Sequence, residues 1–145
     1  MKLRIPRTIL VAAAALVFGS AVYAQEINVR IRVPFDFVVG DKMYPAGEYA
    51  VQTAKANTYY LSIKNEDKTT RELIDSYPCI SSKPLTPGNQ AKLVFHRVEN
   101  TYFLHRVWVG GSTVGREFPK SHREAQMAMN GSTTETTIVA ANIAR

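Results

Sequence analysis

Cysteine is nearly absent from this chain, since Cys79 is the single one among 145 residues. An internal disulfide is therefore excluded, and so are the paired cysteines of zinc and redox sites. Cys79 either packs as a small buried hydrophobic residue or stays exposed and links two chains into a dimer. Pro78 and the serine-rich segment that follows are compatible with exposure, so both alternatives stay open.

The chain also lacks the short motifs that mark common catalytic sites. No Gly-x-Ser-x-Gly segment presents a nucleophilic serine, and the carboxylates are scattered without the spacing of an acid–base pair. No cofactor is predicted. The sequence therefore favours a non-enzymatic protein over an enzyme.

Concentrated basic charge is a third missing feature. Three of the cations behind the net charge of +6 are Lys2, Arg4 and Arg7 at the N-terminus, which leaves only a mild excess on the rest of the chain. Nucleic acids are bound by a clustered basic face. Nucleic acid is therefore not a predicted partner.

Only the N-terminus contains a long apolar run. The basic residues there precede the apolar residues 8–22, and Val-Tyr-Ala at positions 22–24 is typical of a cleavage site. The run is short of the ~20 residues that span a bilayer, and no later run is long enough. We interpret residues 1–24 as a cleaved secretory signal peptide, with a membrane anchor as the alternative. Residues 25–145 are then predicted to form a single periplasmic or secreted domain.

The remainder of the chain consists mainly of short segments with strand character. Residues 27–33 alternate strictly between apolar and polar, which places Ile27, Val29, Ile31 and Val33 on one face. Turns rich in Gly, Pro and Asn separate the segments, and residues 78–90 form the longest predicted loop. Strands are predicted at 27–33, 35–39, 48–52, 59–64, 69–77, 92–98, 102–109, 114–118 and 133–143. This spacing predicts an all-β fold, either a β-sandwich or a small antiparallel barrel.

One short helix is expected near the C-terminus. Ser121 and Glu124 have the spacing of a capping box, in which each side chain satisfies a free N–H at the helix start. Ala125, Ala128 and Met129 would then face inward, and Asn130-Gly131 would end the helix. Residues 133–143 follow as a final strand, with a frayed tail as the alternative.

The register of the predicted hairpin at 92–109 decides where its two histidines point. With a loop of two residues, Asn100-Thr101, His96 and His105 pair directly. They can then bind a divalent metal together, with His122 or an acidic residue as a third ligand. With the three-residue loop 99–101, His96 pairs with Leu104 and the two imidazoles point to opposite faces. The odd loop also places Leu93, Phe95, Phe103, Val107 and Val109 on one face. We therefore predict the odd loop and no metal site.

Aromatic side chains provide the other candidate site. Tyr59, Tyr60, Tyr102 and Trp108 are a candidate stacking surface for a sugar or another flat ligand, because exposed aromatic clusters mark binding surfaces. Ordinary packing between neighbouring strands is the alternative.

Three segments together resemble a group of small exported bacterial β-rich proteins. They are Val-Pro-Phe-Asp-Phe at 33–37, Pro-Ala-Gly-Glu-Tyr at 45–49, and Leu-Val-Phe-His-Arg at 93–97 with Tyr-Phe-Leu at 102–104. The likeness covers most of residues 25–145. It implies an exported location and an all-β fold, and it implies no activity or site residue.

These observations predict an exported, non-enzymatic β-sandwich module that binds a protein or another component of the cell envelope. An exposed edge strand would make the addition of a partner strand its natural binding mode. One alternative is a small-ligand carrier with an internal barrel cavity. The other is a metal-dependent hydrolase that uses His96, His105 and His122.

Overall fold

The computed structural model describes residues 27–54, 59–69, 71–88 and 90–142. The predicted signal peptide at 1–24 lies outside the described residues. The elements in chain order are β1 (Asn28–Val33), β2 (Phe37–Val39), β3 (Lys42–Tyr44), β4 (Gly47–Thr53), β5 (Tyr60–Asn65), β6 (Arg71–Asp75), β7 (Tyr77–Ile80), β8 (Gln90–Val98), β9 (Thr101–Val109), β10 (Val114–Glu117), α1 (His122–Met129) and β11 (Thr134–Asn142).

The strands form two sheets. The smaller sheet has the order β1-β4-β5-β6, and the larger has the order β11-β8-β9-β10-β7, with β2 beside β9 and β3 beside β2. Neighbouring strands are antiparallel except for β2 and β9. The predicted all-β sandwich with one short helix is confirmed, and the described strands form no closed barrel. The carrier alternative therefore loses the barrel cavity on which it depended. No helix among the described residues is long and apolar enough to cross a membrane.

The core lies between the two sheets. The alternation predicted for residues 27–33 is confirmed, because Ile27, Val29, Ile31 and Val33 are all buried. Phe37 of the larger sheet contacts Tyr49 of the smaller sheet edge to face, with ring centroids 5.0 Å apart. Each fully buried side chain of this size stabilises the fold by about 1.5–3 kcal/mol. The hydrophobic patterning of the strands is therefore what holds the two sheets together.

The β8–β9 hairpin adopts a register that the sequence did not predict. Glu99 and Asn100 form a two-residue loop, so that His96 pairs with Phe103. Both earlier registers are wrong, the predicted one with His96 opposite Leu104 and the alternative with His96 opposite His105. Within this loop Glu99 takes a positive φ of 55° and Asn100 does not. Asparagine adopts this conformation more readily than glutamate, so residue preferences did not indicate a loop at 99–100.

A β-bulge in the same hairpin changes which residues face the core. The partner of Phe95 is Leu104, whereas the partner of the preceding Val94 is Arg106. The extra residue shifts the inward and outward alternation along β9. Between the loop and the bulge, the two-residue loop places Leu104 in the main core and Phe103, predicted to face it, on the opposite face with Val38. Beyond the bulge the alternation shifts, so that Val107 faces the core as predicted.

Helix α1 is confirmed, but its inward face differs from the prediction. Ser121 is the N-cap, and its Oγ accepts a hydrogen bond from the Glu124 backbone N–H at 3.0 Å. Met127 packs against the larger sheet, whereas Ala128 is exposed and Met129 is 86% exposed. The helix is rotated in this way because the Glu124 side chain turns inward to meet a side chain of the sheet.

The two edge strands of the larger sheet, β7 and β11, can be compared with the predicted loop and the predicted final strand. The loop predicted to begin at Pro78 begins later, because Pro78 lies within β7. Proline is tolerated there because β7 is an edge strand. The final strand is confirmed, since β11 pairs with β8 along its whole length.

Candidate functional site

The two histidines of the hairpin lie together on the outer face of the larger sheet. Their imidazole rings stack with centroids 3.8 Å apart and an interplanar angle of 28°. The two-residue loop brings them to one face, because His105 follows the His96 partner, Phe103, by two residues. This corrects the prediction that they point to opposite faces. A hairpin loop with an even number of residues places positions 96 and 105 on one face. Choosing such a loop from the sequence would therefore have revealed this pair.

Glu124 joins the histidine pair from the helix. His96 Nδ1 donates a hydrogen bond to Glu124 Oε1 over 2.8 Å, and the Glu124 residue is only 6% exposed. The N-terminal cap of α1 fixes this approach, because Ser121 holds the first turn of the helix above β8. The carboxylate thus anchors α1 to the sheet. The capping-box prediction is therefore half right. Ser121 caps the Glu124 N–H as predicted, but the Glu124 side chain bonds His96 and not the Ser121 N–H.

Burial controls the charge state of the second histidine. The pKa of His105 is lowered to about 4, mainly because burial disfavours the imidazolium and also because His96 lies beside it. His105 is therefore neutral at physiological pH.

Of the three candidate metal ligands, His122 lies apart from the other two. His122 begins α1, where it is exposed and its backbone N–H donates to Asp41 Oδ1 at 3.1 Å. Across the described ranges, no three His, Cys, Asp or Glu side chains are placed to hold a metal ion.

The structure does not gather the four predicted aromatic residues on one surface. Trp108 is 3% exposed and lies on the outer face of the larger sheet against Gly115. Tyr102 faces the other side of that sheet, where its ring stacks on Phe35 at a centroid distance of 3.8 Å. Tyr59 and Tyr60 are exposed at the start of β5 in the smaller sheet.

Cys79 lies in β7 opposite Gly115, with its side chain half-buried. Burial raises the pKa of the thiol above its ordinary value, so the reactive thiolate form is disfavoured near neutral pH. The structure places the residue between the two predicted alternatives, a fully buried and a freely exposed cysteine.

A cluster that the sequence did not indicate ties the two sheets together at one edge. The Tyr44 hydroxyl and Lys42 Nζ on β3 both donate to the carboxylate of Glu72 on β6. Hydrogen bonding from Lys42 lowers the pKa of Glu72, and burial raises the pKa of Tyr44. Both shifts describe a neutral phenol that donates to an ionised carboxylate. The cluster closes the sandwich where β3 and β6 meet.

The long edge strand β11 presents a different kind of surface. Its nine residues pair with β8 on one side only, and among the described residues no strand pairs with its other side. Backbone N–H and C=O groups on that side are open to a partner strand. Ile138, in the middle of β11, is 55% exposed. This edge is the most extended unpaired backbone surface in the described part of the chain.

No family model, curated protein or solved structure matches the chain.

Proposed function

We propose that the chain is an exported, non-enzymatic β-sandwich module that binds a protein of the bacterial envelope by strand addition at β11. The observation that carries this proposal is the nine-residue edge strand with an open side. In strand addition, main-chain hydrogen bonds supply affinity and alternate side chains supply specificity. A nine-residue strand offers both along a length of about 30 Å.

The composition of β11 supports this role. Its sequence, Thr-Glu-Thr-Thr-Ile-Val-Ala-Ala-Asn, contains no proline, glycine or lysine and only one charged residue, Glu135. Natural edge strands that must avoid pairing carry lysines, prolines or bulges. The outward-facing positions Thr136 and Ile138 are β-branched, which suits a pleated surface on which a second strand can pack.

The other edges of the two sheets are protected. Edge strand β7 contains Pro78, which has no N–H. The Ser81 N–H donates to the Thr113 carbonyl of the neighbouring chain segment. Backbone groups alternate between the two sides of a strand, so the backbone N–H and C=O positions of residues 78 and 80 point to the free side of β7. The edge at β6 is tied to β3 through Glu72. Edge strand β1 is shorter, with six residues, and carries the charged side chains of Arg30 and Arg32. By contrast, β11 is the longest of these edge strands and carries a single charged side chain.

Two polar clusters support a non-enzymatic role. Glu124 engages His96, and Glu72 engages both Lys42 and Tyr44, so these side chains hold elements together. A catalytic site needs a nucleophile or base with room for a reacting atom beside it. These groups instead act as structural partners of one another.

Photo-crosslinking in living cells tests the proposal. A benzoylphenylalanine residue is placed at Ile138 on β11 and, as a matched control, at Ile80 on β7, which is even more exposed. We expect a discrete adduct with an envelope protein from position 138 and none from position 80. The adduct should disappear when Thr136→Lys is added, because lysine on an edge strand opposes strand addition.

The same experiment separates the alternatives. Identical adducts from both positions, or none from position 138, would contradict the proposal. An adduct with twice the mass of the chain would instead assign the β11 edge to self-association. Export is tested in the same cells by the molecular mass of the mature chain, which should begin at Gln25.

A further inference from the structure

A cationic patch lies on the outer face of the smaller sheet. Its Lys64 and Arg71 are on β5 and β6, at the end of the sheet opposite to β1, which is the strand that approaches β11. Cross-strand pairing aligns Arg30 with Ala50, Ala50 with Lys64, and Lys64 with Arg71. The row therefore carries three cations across four strands, with one small residue between Arg30 and Lys64. No acidic residue interrupts it.

Charge is uncompensated at the β6 end of this row. Arg30 Nε is 3.6 Å from Glu66 Oε1, whereas no described residue forms an ion pair with Lys64 or Arg71. Like charges directly opposite each other on neighbouring strands destabilise a sheet. A bound anion would relieve this repulsion between Lys64 and Arg71.

Acidic residues on the same face do not neutralise the row. Glu48 lies one row away, where it pairs directly with Arg32. Asp75 lies at the other end of β6, opposite Tyr60. The Lys64–Arg71 pair thus remains the centre of positive charge.

An exposed apolar side chain adjoins the same cations. Leu73 follows Arg71 by two residues on the same face of β6 and is 64% exposed, whereas Tyr60, 37% exposed, lies at the other end of this face. An exposed leucine beside lysine and arginine fits the membrane interface, where cations meet headgroup phosphates and apolar or tyrosine side chains enter the boundary with the acyl chains. A soluble anionic polymer would engage the cations and leave Leu73 in water.

We propose that the outer face of the smaller sheet docks on a membrane surface rich in anionic phospholipid headgroups, with Lys64 and Arg71 on the phosphates and Leu73 in the interface. The proposal rests on the proposed export, but it is independent of partner binding at β11, which belongs to the other sheet. A docked domain would keep the β11 edge available.

Vesicle co-sedimentation of the exported chain tests this proposal. Vesicles of equal parts phosphatidylcholine and phosphatidylglycerol are compared with vesicles of phosphatidylcholine alone. We expect binding to the anionic vesicles only. Each basic side chain near such a surface contributes about 1 kcal/mol, or roughly fivefold in affinity, so the double variant Lys64→Gln/Arg71→Gln should bind at least tenfold more weakly.

Two further variants make the test specific. The double variant Lys83→Gln/Lys120→Gln removes the same net charge from exposed positions outside the smaller sheet and should bind almost as the parent does. Leu73→Ser should weaken binding severalfold without changing charge. Circular dichroism of each variant confirms that the fold is retained.

Three results would overturn the proposal. The first is equal sedimentation of the parent chain with both vesicle types. The second is equal weakening of binding in Lys64→Gln/Arg71→Gln and in Lys83→Gln/Lys120→Gln. The third is full binding by Leu73→Ser. If Leu73→Ser retains full binding and dextran sulfate displaces the chain, the cationic patch belongs to a soluble anionic polymer and not to a lipid surface. Crosslinking from Ile138 is unaffected by any of these outcomes, so failure here is distinguishable from failure of strand addition.

Discussion

At the scale of single residues, His105 makes the fold sensitive to mild acid. Its pKa is about 4 in the folded chain and about 6.5 in an unfolded chain. Between these values the unfolded chain binds a proton that the folded chain excludes. Stability is therefore complete above pH 6.5 and falls as the pH decreases toward 4.

We predict that this histidine lowers the free energy of unfolding by roughly 2 kcal/mol between pH 6.5 and pH 4, after allowance for its partial exposure. Urea unfolding at several pH values measures the slope. His105→Gln should flatten it, whereas His122→Gln at the exposed start of α1 should leave it unchanged. An unaltered slope in His105→Gln would show that other groups cause the acid sensitivity.

A second residue-scale feature is the close approach of Trp108 to the backbone of Gly115. A Cβ added at Gly115 would lie 2.7 Å from Trp108 Cε3 and 2.8 Å from the Val107 carbonyl oxygen. Neither the buried ring nor the strand backbone can yield without cost. The position therefore requires glycine for space.

We predict that Gly115→Ala lowers the free energy of unfolding by about 1–3 kcal/mol through overpacking. Because Trp108 is the single tryptophan, its fluorescence reports the local change directly. Gly88→Ala is the control, since an added Cβ there has no neighbour within 4 Å. Equal stability of the two variants would contradict the described packing.

At the scale of elements, α1 depends on its N-cap because the helix has only eight residues. Ser121→Ala should lower the free energy of unfolding by about 1 kcal/mol through loss of the hydrogen bond to the Glu124 N–H. Chemical denaturation of the variant measures this loss. Ser82→Ala in the exposed loop after β7 is the comparison, and a matching loss there would argue against the capping role.

Individual elements were predictable where a local rule determined them. The period-two pattern of β1 and the Ser-x-x-Glu spacing at α1 gave both elements correctly. The hairpin register was not predictable, because an unfavourable positive φ at Glu99 and a bulge at β9 both depend on tertiary packing. The rotation of α1 followed from the contact between Glu124 and His96, which joins residues 28 positions apart.

At the scale of the whole molecule, the sequence predicted the fold class more completely than any site. Alternating strands separated by turns are sufficient to indicate a sandwich. The Tyr44–Glu72 contact joins residues 28 positions apart on different sheets, and no spacing along the chain encodes it. The histidine pair lies within one hairpin, where its position depends on the length of the loop. The cationic row crosses four strands, so it depends on the order and register of the whole smaller sheet. The sheet edges likewise become visible only when the order of the strands is known.

We propose that the free edge of β11 receives a partner strand. Hydrogen exchange resolved to single amides tests it most directly, on the free chain and on the complex recovered through the Ile138 crosslink. In the free chain, alternate amides of β11 should exchange rapidly while those bonded to β8 are protected. In the complex, we predict that the rapidly exchanging amides become protected as well. Unchanged exchange along β11, with new protection confined to other elements, would contradict strand addition at β11.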